Sequence, residues 1–217
     1  MTDIRWFDNA SAASAIELAK AESKPLLVDF WSPTCSGCAK LFAVTYRDPR
    51  VRKLLADCFV CIKYNTKAPN EWFKRLKGSF GHHWHPNIAV MDDRLTEARR
   101  FIGYLPPEDF IAQIEVGRAL VALYRQQATN ALQILVDVTQ RYPNTHVAAE
   151  ALYWAGVAAY RTGGGLPALT EYWVQIARRH PTSEWAVRAD CLDVRIPSAG
   201  FSMSDPSSVE LIAPQPA

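Results

Sequence analysis

The chain has 217 residues, 24 Lys and Arg against 22 Asp and Glu, and 49% hydrophobic residues, enough for packed cores in one large or two small units. This balance gives no strong drive toward nucleic acid or an anionic membrane surface. The opening Met1-Thr2-Asp3-Ile4-Arg5-Trp6 has no basic segment, and no apolar run reaches membrane-spanning length, so a cytoplasmic protein without nucleic-acid or membrane partners is expected. Five cysteines are an odd number and too few for a secreted scaffold, which suits a reducing compartment where any disulfide is transient.

In chain order, residues 10–21 read as a helix stopped near Ser23-Lys24-Pro25, and Leu26 to Trp31 as a buried strand. A helix from Cys35 breaks around Asp48-Pro49 and restarts with Asp48 as cap and Pro49 in the first position. Phe59 to Asn65 is the next strand, Glu71 to Lys77 a helix and Gly78 to His85 a loop. Asn87 to Met91 and Glu97 to Phe101 then pair across the turn Asp92-Asp93-Arg94. Pro106 and Pro107 open a helix whose first turn carries Glu108 and Asp109, as the helix dipole favours. The resulting order is βαβαββα.

From about Arg118 the pattern becomes Ala-rich helix, which places a boundary near Gly117 and divides the chain into 1–117, 118–196 and a Ser/Pro/Ala-rich, disordered tail over 197–217. Gln140-Arg141-Tyr142-Pro143-Asn144-Thr145 recurs as Arg178-Arg179-His180-Pro181-Thr182-Ser183, each ending one helix, with Thr145 or Ser183 capping the next. Helices from Ala149 to Tyr160 and from Ala168 to Arg179, joined at Gly163-Gly164-Gly165, form a pair. Their alternation of small and large residues resembles tetratricopeptide repeats, at a longer offset than the about 34 residues usual there.

The chemistry concentrates at Trp31-Ser32-Pro33-Thr34-Cys35-Ser36-Gly37-Cys38, where a strand turns into a helix. The first N–H groups of a helix lack intrahelical partners and the dipole there is positive, so a thiolate at Cys35 is stabilised as an exposed nucleophile. Cys38, one turn on and on the same face, is placed to resolve the mixed disulfide that Cys35 forms. Metal binding is the rival: His82, His83 and His85 are expected near the two thiols, a donor set suited to zinc or copper(I). Cys58 and Cys61 repeat the spacing, but Phe59-Val60-Cys61-Ile62 is a strand, so they read as packing residues facing opposite sides. Cys191 reads as a core thiol. The aromatics Tyr153, Trp154, Tyr160, Tyr172, Trp173 and Trp185 either line a peptide groove or pack the helical core.

Residues 1 to about 117 resemble the thioredoxin family. Val28-Asp29-Phe30-Trp31 stands before the cysteines as that family's Val-Asp-Phe-Trp does, Lys63-Tyr64-Asn65 matches its strand Lys-x-Asn, and His85-Pro86 falls where it has a cis-proline. Lys24-Pro25 and Asp48-Pro49-Arg50-Val51 are similar to the branch that includes the soluble C-terminal domain of the transmembrane disulfide reductase. The pattern departs in its tuning positions: Ser36-Gly37 replaces Gly-Pro, Thr34 replaces a tryptophan, and Ala43 stands where a kinking proline is common.

The resemblance implies an α/β thioredoxin fold fused to an all-α, tetratricopeptide-like domain, acting as a thiol-disulfide oxidoreductase that reduces protein disulfides. It implies no bound cofactor beyond the redox-active disulfide Cys35–Cys38, and an upstream thiol reductase as partner. Asp29 would exchange a proton with Cys38 through a water, with Lys63 nearby, unless the two form only a structural ion pair. Pro86 in the cis form would leave backbone beside Cys35 free for an extended substrate segment, with Trp31, Thr34 and His85 contacting substrate. The helical half would recruit a partner or form a homodimer interface. A redox-sensing adaptor without turnover and a metal-binding protein using Cys35, Cys38 and the loop histidines are the alternatives.

Overall fold

The computed structural model describes residues 3–78, 84–192, 194–195 and 209–211. Its first half contains β1 (Trp6–Phe7), α1 (Ala12–Glu22), β2 (Leu26–Trp31), α2 (Ser36–Ala43), a 3-10 turn over Thr45–Arg47, α3 (Pro49–Cys58) and β3 (Val60–Asn65). α4 (Trp72–Leu76), β4 (Asn87–Met91), β5 (Glu97–Ile102) and α5 (Pro107–Tyr124) follow. Five strands form one sheet in the order β1-β3-β2-β4-β5, with β1, β3 and β2 parallel and β4 and β5 antiparallel to their neighbours. The strand β1 adds one element to the expected βαβαββα order.

Helices on both faces explain why β2 is apolar almost throughout. Leu26, Val28 and Phe30 point to one face and pack with Ala15, Ile16 and Ala19 of α1 and Leu76 of α4. Leu27 points to the other face and joins Leu41 of α2, Val51 and Leu55 of α3 and Phe110 and Ile114 of α5. Asp29 shares the face of Leu27 by strand alternation, so the helix carrying the cysteines lies over it. α3 begins as its sequence requires: the Asp48 carboxylate accepts the Arg50 N–H at 2.8 Å, and Pro49 sits at the first position.

Gly117 lies in mid-helix. α5 runs through it without a break, and a Cβ there would lie 2.9 Å from Val90 Cβ and 3.2 Å from Arg99 Cβ. The glycine therefore lets the helix approach the sheet closely, and the boundary expected there falls inside α5. Beyond it α5 buries Leu120, Val121 and Leu123, and the same core continues into Ile134, Leu135 and Val138 of α6 (Ala128–Arg141) and Ala151 and Ala155 of α7 (Ala148–Ala159). A largely buried ion pair reinforces the join. The Arg99 guanidinium of β5 grips the Glu150 carboxylate of α7 at 2.7 and 2.8 Å and gives its Nε–H to Gln113 at 2.6 Å.

Among the described residues everything from 125 to 190 that is regular is helical, completed by a π turn over Tyr160–Gly164, α8 (Gly165–Arg179) and α9 (Glu184–Ala189). Small against large packing is literal there: a Cβ on Gly156 would lie 2.7 Å from the Trp173 indole. Trp173 stacks on Tyr153 with centroids 4.6 Å apart, and Trp185 leans on the same ring at 5.0 Å. Of the aromatic set Trp173 is in the core, Tyr153, Trp154, Tyr172 and Trp185 are partly buried against it, and Tyr160 is exposed.

Two local expectations change, and a third falls mostly outside the described residues. Ser183 caps α9 through the Ala186 N–H, but Thr145 donates its hydroxyl to the Tyr142 carbonyl and α7 starts after Val147 without a side-chain cap. Cys191 is exposed rather than in a core, because α9 ends at Ala189. Most of the 197–217 tail, expected to be disordered, lies outside the described residues, yet Glu210–Leu211 within it pairs antiparallel with Val194–Arg195.

Candidate active site

Cys35 caps α2. Its backbone is extended, and its sulfur accepts the Cys38 N–H at 3.0 Å, so the free donors of the first helical turn meet sulfur as the sequence predicts. The two cysteines are joined by a disulfide with their Cα atoms 5.2 Å apart, within the ordinary range for such bridges. Cys35 is partly exposed, whereas Cys38 is 2% exposed on the side of α2 that carries Leu41 into the core. An outer sulfur open to a partner and an inner sulfur closed to it are the geometry that sequential thiol-disulfide exchange needs.

Cys35 lines an open cleft of about 570 Å³ together with Thr34, Gly37, Pro86, His85 and Tyr104. The His85–Pro86 peptide is cis. Pro86 packs against the helix start so closely that a Cβ on Gly37 would lie 2.9 Å from Pro86 Cδ. Gly37, with no Cβ, lets the start of α2 and Pro86 come this close. His85 Nε2 lies 2.6 Å from Thr66 Oγ1, which also donates to the Trp31 carbonyl, so the proline loop is tied to the end of β2. Burial, helped by the Lys67 charge, lowers the His85 pKa. Trp84 stands 70% exposed at the cleft, and Lys40 lies over the Tyr104 ring at 4.4 Å.

Trp31 does not line this cleft. Its ring is partly exposed and meets Phe42 edge-on at 6.1 Å, and its indole nitrogen is buried without a hydrogen bond.

Asp29 and Lys63 are neighbours in the parallel register of β2 and β3, but they make no salt bridge. Asp29 is fully buried, with Oδ2 accepting the Tyr46 hydroxyl at 2.9 Å and Oδ1 without a partner. The Lys63 ammonium faces the rings of Phe42 at 3.8 Å, Trp6 at 4.2 Å and Tyr46 at 5.6 Å. Burial pushes the Asp29 pKa up to about 7, against the Tyr46 hydrogen bond and the Lys63 charge. Burial pulls Lys63 down to about 8, against the Asp29 charge. A structural ion pair is therefore not what holds Asp29; a tyrosine does.

The aromatic surround of Lys63 and the role of Tyr46 are absent from the sequence reading. Phe42 and Tyr46 stand four apart in the sequence, the available signal, but Tyr46 lies in the turn after α2 and nothing local points it at Asp29. Cys61 is buried, its thiol pKa pushed well up by burial, and half-buried Cys58 is raised for the same reason, as packing residues would be. His82 and His83 lie outside the described residues. Groups of three or more metal-ligating side chains are not found among the described residues.

A thioredoxin-like domain model matches residues 12–117. The thiol:disulfide interchange protein DsbD of Ralstonia nicotianae is 28% identical over 101 residues, 46% of this chain and 16% of that protein. DsbD of Escherichia coli strain K12 is 28% identical over 115 residues, 52% of this chain and 20% of that one. The oxidised C-terminal domain of Neisseria meningitidis DsbD aligns with a TM-score of 0.44 and 20% identity, over 52% of this chain and all of that domain. The chain spans one fifth or less of the length of these curated relatives. Residues 12–117 are a thioredoxin-like domain carrying the Cys35–Cys38 pair.

Proposed function

We propose that the protein is a thiol-disulfide oxidoreductase that reduces protein disulfides through Cys35 and Cys38. The observation that carries this reading is the split environment of one disulfide, with Cys35 at the mouth of a cleft and Cys38 buried behind it. The matched relatives bear the name of thiol:disulfide interchange proteins, which supports the same chemistry here.

In the reduced protein the Cys35 thiolate is stabilised by the Cys38 N–H and by the positive end of α2. It attacks one sulfur of a substrate disulfide; the other sulfur leaves as a thiolate and takes up a proton. Asp29 then accepts the Cys38 proton, and the Cys38 thiolate attacks Cys35 Sγ, breaking the mixed bond and releasing the second substrate thiol. Two electrons pass to substrate, the Cys35–Cys38 disulfide remains, and an upstream thiol donor restores the dithiol. In the reducing cytoplasm expected from the sequence, that direction is reduction. The helices beyond α5 would recruit the partner or pair two copies.

Catalysed reduction of a protein disulfide such as insulin's, with excess dithiol as donor, tests the proposal. Many turnovers per chain are expected. A single stoichiometric exchange would mark a redox-sensing adaptor instead and refute the enzyme reading.

A further inference from the structure

We infer that Tyr46 is a positioning residue for the resolving step: its buried hydroxyl anchors Asp29 Oδ2, leaving Oδ1 as the open acceptor for the Cys38 proton. This rests on the proposed oxidoreductase function and goes beyond it by assigning a role to a residue outside the cleft.

Tyr46 is 6% exposed and sits in the turn directly after α2. Its ring is clamped edge-on by Trp6, Phe42 and Phe110, at centroid distances of 5.0, 5.7 and 5.6 Å. That three-sided clamp fixes where the hydroxyl points, and it points at Asp29 at 2.9 Å. A buried carboxyl with one oxygen held and the other unpartnered is costly unless the site uses it. Oδ1 is that unpartnered atom. Asp29 and Cys38 are both buried between β2 and α2, one on the covered sheet face and one on the inward face of the helix.

Few other charges reach this carboxyl. From β3 comes Lys63, turned toward its ring surround, while the buried thiol of Cys61 faces Tyr46; from α2 comes Cys38; β4 places Ile88 opposite and α5 contributes Phe110. Tyr46 is thus the hydrogen-bond donor to Asp29, and a donor to the ionised form holds the carboxylate at lower pH than burial alone would allow. Without the hydroxyl, Asp29 would stay protonated at higher pH and be unable to take the Cys38 proton. In the step itself, the proton passes from Cys38 Sγ to Asp29 Oδ1, the new S–S bond forms from Cys38 to Cys35, and the Cys35–substrate bond breaks to give the substrate thiolate.

Tyr46→Phe removes one oxygen and keeps the ring in its clamp. The direct test is an NMR titration of the Asp29 carboxyl carbon in the oxidised full chain, which needs no turnover and reports folding in the same spectra. The midpoint should rise by about one pH unit in Tyr46→Phe. Turnover at pH 6 should fall about tenfold while activity at pH 9 stays near that of the parent. In an Asp29→Asn background, adding Tyr46→Phe should change the pH profile no further. An unshifted Asp29 midpoint, a Tyr46→Phe profile that overlays the parent, or a further shift in the Asp29→Asn background would each overturn the assignment. Lack of turnover in the parent would instead refute the oxidoreductase reading, and the titration separates the two.

Discussion

Gly37→Ala probes the contact on which the cleft is built. The new Cβ would stand 2.9 Å from Pro86 Cδ, 3.8 Å from Pro86 Cγ and 4.0 Å from Tyr104 Cβ. Carbon atoms settle at about 3.5–4.0 Å, so Pro86 or the start of α2 must give way by roughly 0.6 Å or more. The clashing atom belongs to a ring and cannot swing aside as a flexible chain end would. Overpacking of this kind costs about 1–3 kcal/mol, and alanine in place of glycine in a helix returns about 1 kcal/mol. Net destabilisation should therefore stay at about 2 kcal/mol or less.

Activity is more sensitive, since a misplacement of about 1 Å costs on the order of a hundredfold. Displacing the proline loop by roughly half that distance should lower kcat/KM for a protein disulfide by about tenfold. The assay pairs that rate with chemical denaturation of the oxidised protein, so a folding defect is recognised by its own signal. Turnover within twofold of the parent would refute the claim that the Pro86 contact shapes the substrate cleft.

Two further changes test the buried charges. Asp29→Asn should stabilise the protein in a pH-dependent way: with the folded pKa raised from 3.8 to about 7, the folded state keeps a proton that the unfolded chain loses, so the Asp29 penalty grows between those pH values and is complete above them. The gain should be near zero at pH 4 and reach on the order of 1–4 kcal/mol at pH 8, reduced because Lys63 loses its opposing charge; equal gains in denaturation at both pH values would contradict it. Glu150→Ala leaves Arg99 buried at 11% side-chain exposure without its partner, and should cost about 3–5 kcal/mol in denaturation experiments. A loss below about 1 kcal/mol would mean that α7 is not fastened to the sheet through this pair.

Much of this architecture is legible in the residues because local rules and tertiary packing agree there. The strand Leu26–Trp31, the Asp48-Pro49 helix start and the Cys35 cap follow from apolar continuity, a side-chain acceptor and a proline-compatible first turn. What escaped is what only three-dimensional approach determines. β1 is a two-residue strand, too short to show alternation. Gly117 looks like punctuation in a sequence, yet it is the point where α5 presses on Val90. Trp31 and Tyr46 carry no local mark of their contacts: the first meets Phe42 of α2 and the second reaches back seventeen positions to Asp29. Long-range polar contacts between buried groups leave no periodicity to read.

The most direct test of the central claim is intact-mass analysis of single-cysteine variants incubated with a protein of known disulfide. Cys38→Ser keeps the accessible sulfur and lacks the inner one, so it should accumulate a mixed disulfide through Cys35, whereas Cys35→Ser should form none. Trapping by Cys35→Ser instead, or by neither variant while the parent turns over, would show that the cleft-facing sulfur is not the attacking nucleophile.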